Sequence, residues 1–281
     1  MNRTPSMRVV TKFDNPTELN RLAMSLQDAA EKTVTVQDFG ESKQHKAILN
    51  EQTNRISCIA NKNYTLVQHR GMVQQVSDAL SSFNLNAYGE IVDMGDKVYV
   101  HAFFKDKIVP DGTSRGIHLG CRFSNSYDLS CGINFSLYGM RIECANQMHM
   151  KNLLSRVSKK HIGEIDVMSM TKDFITQAVE QVEPFALLVE AAMEDSIEWS
   201  LMNRMLEAFI PCDKHRTAIM DRLTESPEVT KWEIYNAITN YASHDGLLKN
   251  SVIDMLQNKS CTLLEKSLHS LVPEEKEVMV E

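Results

Sequence analysis

Seven basic residues and a few aromatics are the side chains whose types and spacing could do chemistry. Arg115, Arg122, Arg141, Lys151, Arg156, Lys159 and Lys160 run through residues 115–160, interleaved with Phe123, Tyr127 and Tyr138 and preceded by Tyr99. Cations neutralise backbone phosphates and aromatic rings offer faces for bases, so this mixture suits a single nucleic-acid strand held without base readout. The same residues also fit a solvated basic face over core aromatics. Arg115 and Arg122 are seven residues apart and would face opposite sides of a regular strand. Sharing one groove requires a bulge, or one of them off the strand. Arg156, Lys159 and Lys160 have the i, i+3, i+4 spacing of one basic stripe on a helix.

Other chemistries find less support. His118, Cys121, Cys131, Cys144 and His149 match no zinc-module spacing, and small buried apolar residues are the alternative for the cysteines. No Gly-x-x-x-x-Gly-Lys-Ser/Thr, Gly-x-Gly-x-x-Gly or Gly-x-Ser-x-Gly stands in the chain, so neither a phosphate loop nor a framed nucleophile is expected. Glu90, Asp93, Asp96 and Asp106 flank a hairpin, where acids serve solubility and turns as readily as metal-assisted catalysis. Asn125 and Asp128 suit a tight loop made by side chains bonding their own backbone, or a loop aimed at phosphate or metal. No metal or cofactor is expected.

The elements that must position these groups change period along the chain. Asn15-Pro16-Thr17 signals a helix start, with Thr17 as cap, and residues 32–59 read as short strands and loops. Tyr64 to Gln68 reads as a short strand, followed by a helix over 70–83. Residues 87–94 and 97–104 form a hairpin about Gly95-Asp96, in which Val98, Val100 and Ala102 alternate with Tyr99, His101 and Phe103. Strands over 116–123 and 131–137 are joined by the polar loop 124–128, and Tyr138-Gly139 turns the chain into a fifth strand. A helix over 148–157, capped by Asn146, then carries the basic stripe. Helices follow over 171–197, with Pro184 kinking or dividing the span, then 198–209, 214–223, 231–241 and 247–271. The expected class is α+β: an antiparallel meander with a preceding helix, then an all-helical half.

Charge divides the same way. Residues 1–160 carry 20 Lys+Arg and 15 Asp+Glu, whereas residues 161–281 carry 10 and 22. This predicts a mildly basic α+β domain over 1–160 and an acidic helical domain over 161–281, frayed at 272–281. Opposite charges on the two halves suggest a homo-oligomer. At 43% hydrophobic and 24% charged the chain has globular composition, and six scattered cysteines are no disulfide framework. No segment nears the roughly 20 apolar residues of a membrane span. With no apolar leader in Met1–Asn20, the expectation is a cytoplasmic protein.

Four segments resemble a known family. Asn63-Tyr-Thr-Leu-Val-Gln68, Arg122-Phe-Ser-Asn-Ser-Tyr-Asp128, Arg141-Ile-Glu-Cys-Ala-Asn-Gln-Met148 and Thr230-Lys-Trp-Glu-Ile-Tyr-Asn-Ala-Ile-Thr-Asn-Tyr-Ala-Ser-His244 are similar to the phage- and plasmid-borne domain of unknown function 932, over about residues 60–245. Gln147 departs from the glycine expected there. The resemblance implies a mobile-element setting and no activity. The element order is also similar to single-strand annealing proteins of the Rad-fifty-two superfamily, by layout alone. The leading expectation is a non-enzymatic protein that binds single-stranded nucleic acid and promotes annealing, using the seven basic residues with Asn125 and Tyr127. The alternatives are a protein-interaction module and a metal-dependent enzyme acting on nucleic acid through Asp128 or Asp93. Trp232, Tyr235 and Tyr241 are expected in the core, and His244 at a helix C-terminus.

Overall fold

The computed structural model describes residues 8–36, 40–51, 54–141, 146–149 and 156–273. In chain order the elements are β1 (Val9–Phe13), α1 (Pro16–Ala23), β2 (Ala29–Val36), β3 (Gly40–Asn50), β4 (Arg55–Asn61), α2 (His69–Ser82), β5 (Ala87–Asp93), β6 (Lys97–Val109), β7 (Ile117–Ser126), β8 (Ile133–Arg141), β9 (Asn146–His149) and β10 (Val157–Lys159). The chain then becomes helical: α3 (Val167–Glu180), α4 (Val182–Glu194), β11 (Ser196–Glu198), α5 (Trp199–Phe209), α6 (Asp213–Met220), β12 (Glu228–Thr230), α7 (Lys231–His244), α8 (Asn250–Glu265) and a closing 3-10 turn, Leu268–Leu271. The class is α+β as expected. Two compact units interleave along the sequence: residues 1–108, 118–138 and 154–181 form one, and residues 109–117, 139–153 and 182–281 the other.

The first unit is built on an antiparallel sheet in the order β1-β5-β6-β7-β8-β10. Asp93 pairs with Val98 and Ala87 with Phe104, and Gly95, at φ 77°, supplies the left-handed turn. Alternation sorts the faces. Val98, Val100 and Ala102 of β6, Leu119, Cys121 and Phe123 of β7, and Phe135 and Leu137 of β8 are all buried on one side. Helix α2 buries Met72, Val73, Val76, Ala79 and Leu80, a stripe at helical spacing, and α3 sets Phe174 against Phe135 of β8, ring centroids 5.7 Å apart. A three-stranded sheet, β2-β3-β4, completes this unit.

The second unit surrounds α7, which is buried on nearly every face and packs against α4, α6, α8 and β9. Its start is over-determined. Thr230 and Glu233 form a reciprocal capping box, and the half-sunk ion pair from Lys231 Nζ to Asp195 Oδ2 spans 2.7 Å.

Several local expectations change. Asn15, not Thr17, caps α1, its Oδ1 accepting from Glu18 N at 2.9 Å, because Pro16 occupies the first helical position where no N–H is needed. Tyr64 makes a single bridge, to Ile162, and the chain to Gln68 is irregular rather than a strand. Residues 124–126 extend β7, and β8 runs through Tyr138-Gly139 to Arg141 without turning. Two helices separated at Gln181 replace the one over 171–197, and Pro184 sits in the first turn of α4, which tolerates it. The helix expected over 148–157 lies mostly outside the described residues, since 150–155 are not among them; of its ends, Met148 and His149 belong to β9 and Val157 opens β10.

β10 exists because β8 offers it an edge: Val157, Ser158 and Lys159 pair with Phe135, Asn134 and Ile133. The approach at its end is close enough to need glycine, since a Cβ at Gly132 would lie 2.3 Å from the Lys159 carbonyl oxygen. Gly132→Ala therefore has to push β10 off its partner. We expect a loss of about 1–3 kcal/mol, as for other overpacked sites, read as a lower midpoint in urea together with faster amide exchange over 157–159.

Candidate functional site

The basic and aromatic residues separate into three places. The first is the outer face of the sheet in the first unit, opposite the helix-covered side. Tyr99 of β6, Arg122 of β7 and Tyr138 of β8 are cross-strand neighbours there, with the Arg122 guanidinium 4.5 Å from the Tyr99 ring centre and 6.0 Å from that of Tyr138. Tyr99 and Arg122 are half-buried and Tyr138 is buried, so the open part of this face is a cation lying on a phenol ring. His101 stacks on Tyr138 at 5.9 Å, and Tyr88 Oη meets His118 Nδ1 at 3.1 Å. Burial lowers the His118 pKa and raises Tyr88 to about 12, so neither group adds charge at neutral pH.

The β10 edge belongs to the same unit. Ser158 lies opposite Asn134, whose side of the sheet also carries Tyr138, and Arg156 and Lys160 flank Ser158 with the same parity. Arg156, Lys159 and Lys160 are all exposed, but strand alternation puts Lys159 on the other side. In place of a helical stripe, Lys159 sits on a strand and Arg156 and Lys160 flank it, all three exposed at one sheet edge. Lys159 pairs with Ile133, five residues along β8 from Tyr138, or about 17 Å of strand.

The second place is buried. Asn125 and Tyr127 have no exposed surface, so neither presents itself to a base or a phosphate. The Tyr127 ring stacks on His69 with centroids 3.7 Å apart. Its hydroxyl accepts from His69 N at 2.8 Å and lies 3.0 Å from both Gln27 O and Gln68 Oε1, donating to one of them. Gln68 in turn bonds both backbone groups of Ala29, accepting at 2.9 Å and donating at 2.6 Å. Asn125 Nδ2 donates to Val67 O and to His69 Nδ1, which makes the imidazole an acceptor and therefore neutral. Desolvation drives its pKa down to about 3. Phe123 is buried too, edge-on to Phe135.

The acids proposed for metal chemistry are engaged locally. Asp93 Oδ1 accepts from Gly95 N and Asp96 Oδ1 from Ser57 Oγ. Asp128 accepts from Ser130 N and Oγ and lies 3.5 Å from Lys97 Nζ. Burial alone would push the Asp128 carboxyl up, but the Ser130 hydrogen bonds and the Lys97 ammonium outweigh it and hold it below the usual range. Among the described residues no three His, Cys, Asp or Glu side chains gather as a metal-binding group. Cys144 lies outside those residues, as does the His149 side chain.

The third place is the second unit. Arg115 is exposed in the loop before β7, hence off the strand that carries Arg122. Arg141 donates from Nε to Asp111 Oδ2 at 2.5 Å, and the Asp111 side chain is fully buried. Lys151 lies outside the described residues. Trp232, Tyr235 and Tyr241 are core, as expected. The sequence singled out neither Asp111 nor His69, and Gln68 read as the end of a short strand.

Fold and connectivity together define an α+β chain of two interleaved units. It belongs to the family described as Domain of unknown function (DUF932), whose model matches residues 59–264. No curated protein and no solved structure gives a significant match. No helix among the described residues is long and apolar enough to cross a membrane.

A neutral buried His69 ties stability to pH. Its folded pKa lies below the unfolded value near 6.5, so the unfolded chain binds the extra proton and stability falls as pH drops from about 6.5 toward 3. The limiting slope is about 1.4 kcal/mol per pH unit. Thermal melts between pH 7 and pH 4 should show a shallower decline for His69→Phe than for the parent chain. Tyr127→Phe, which strips the hydroxyl from a buried N–H, should cost about 1–3 kcal/mol at pH 7, measured by urea unfolding.

Proposed function

We propose that the first unit is a non-enzymatic binding surface for single-stranded nucleic acid, with the strand lying across Tyr99 and Arg122 toward Arg156 and Lys160. The Arg122–Tyr99 pair carries this reading: the guanidinium lies 4.5 Å over the half-buried ring, so the stacked pair can offer its plane to a base and its charge to the phosphate that follows. Exposed cations at the β10 edge of the same sheet would continue the path at a distance that a few extended nucleotides would cover. Arg115 and Arg141 belong to the second unit, and Lys151 lies outside the described residues. The mobile-element setting that the sequence resemblance implies would suit a recombination role, in which the protein holds strands open for annealing. The opposite charges of residues 1–160 and 161–281 favour a homo-oligomer.

Fluorescence anisotropy with a labelled single strand tests the surface. Affinity should fall steeply with salt, by about 0.7 log unit per log unit of salt for each phosphate neutralised. Arg122→Ala should reduce both affinity and salt slope, and Tyr99→Ala should cost about 1–3 kcal/mol of binding with the slope unchanged. Salt-independent binding, or Arg122→Ala binding like the parent, would overturn the assignment. Light scattering should give a mass above the 31.9 kDa of one chain, and a monomer at every concentration and salt would remove the oligomer.

A further inference from the structure

The second unit contains a cavity of about 360 Å³ lined by Arg141, Arg222, Trp232, Glu233, Asn236 and Asn240, a volume within the range of small-molecule sites. Two of its polar atoms are unexplained by the fold. Trp232 is only 4% exposed, yet its indole Nε1–H has no hydrogen-bond partner, and the buried Asn236 Oδ1 has none either. A buried indole N–H ordinarily finds an acceptor, and buried polar atoms left single are rare enough to require a cause. The two arginines beside them are held in place. Arg141 is oriented by the buried Asp111 carboxylate. Arg222 donates to Asn240 Oδ1 at 3.0 Å and to Ala218 O at 2.5 Å, and lies 4.9 Å over the Tyr241 ring.

We infer that this cavity binds a phosphomonoester that carries a neighbouring hydroxyl or N–H, as a nucleotide does. Donors from Arg141, Arg222 and Trp232 Nε1 give three separate groups for the three terminal oxygens of a phosphate, where a carboxylate offers two. Asn236 Oδ1 can only accept, so it requires a ligand O–H or N–H. Its orientation is set, because Asn236 Nδ2 donates to Trp232 O at 2.9 Å. The carboxylate on the wall does not cancel the site: Glu233 Oε2 is turned back to Thr230, accepting from N and Oγ1 at 2.8 Å each. The phosphate could come from a free nucleotide or from the 5′ end of a strand.

The chain has two tryptophans, so Trp199→Phe leaves Trp232 as the sole indole reporter. In that protein a nucleoside 5′-monophosphate should change the fluorescence saturably, with inorganic phosphate binding more weakly and succinate giving no response. Arg222 is exposed and its replacement should fold, so Arg222→Ala should weaken nucleotide binding at least tenfold with melting unchanged. Calorimetry on Trp232→Phe, which keeps the ring and removes the N–H, should show a severalfold loss. Comparison with a 5′-phosphorylated oligonucleotide separates the sources: tighter binding than the mononucleotide identifies a strand end, and weaker binding a free nucleotide. A lack of response to millimolar nucleotide and phosphate, an equal response to succinate, or full binding by Arg222→Ala would overturn the site.

Discussion

The first unit depends on one phenol oxygen that has no access to water. Tyr127 Oη has to be satisfied inside the protein, and the groups that satisfy it come from segments far apart in sequence: Gln27 after α1, and Gln68 and His69 at the start of α2. Each polar atom brought in creates a further obligation. Gln68 discharges its own on the Ala29 backbone at the head of β2, and His69 on Asn125 of β7. Such a network holds only when complete, because a half-made one leaves donors stranded where the dielectric is low. The helical layer, the small sheet and the end of β7 are thereby fixed to a common origin.

The outer face of the sheet inherits its order from that arrangement. A cation over a phenol is worth little when both are mobile in water, and more when the strands beneath hold them in register. Tyr138 and His101 stack beside the pair, and Glu90 of β5, which pairs with His101 and lies 3.5 Å from its Nδ1, brings a carboxylate to the same face. Asp128 serves the loop and Lys97 rather than the face. The exposed cations Arg156 and Lys160 stand beside β10, at the far edge of the same sheet.

What could be read from the sequence was what repeats locally. The alternation of Val98, Val100 and Ala102 with Tyr99, His101 and Phe103 gave both the hairpin and its faces, and the 3.6-residue stripe of α2 was equally plain. What could not be read depended on distant partners. Val157-Ser158-Lys159 has no strand signal of its own and extends only because β8 presents Ile133 to Phe135. The lysine spacing there fits a helix just as well. Residues 124–128 looked like a solvated loop because apolar patterning has no means of recognising polar groups that bury one another. Arg141 looked like a free cation for the same reason, since the turn residue that neutralises it stands 30 positions earlier.

The interleaving of the two units bears on how the chain is made and cut. The first unit draws on residues as late as Gln181, and by then the ribosome has already released two stretches, 109–117 and 139–153, that belong to the second. The rest of their unit emerges only with α4 and the helices beyond it. No single cut in the gene yields one whole unit without part of the other. A fragment ending near residue 160, where the charge changes sign, would lack α3 and expose the Phe135 side of β8. Swapping between relatives would have to exchange both units together, so the family's variety should accumulate by substitution within units rather than by shuffling them.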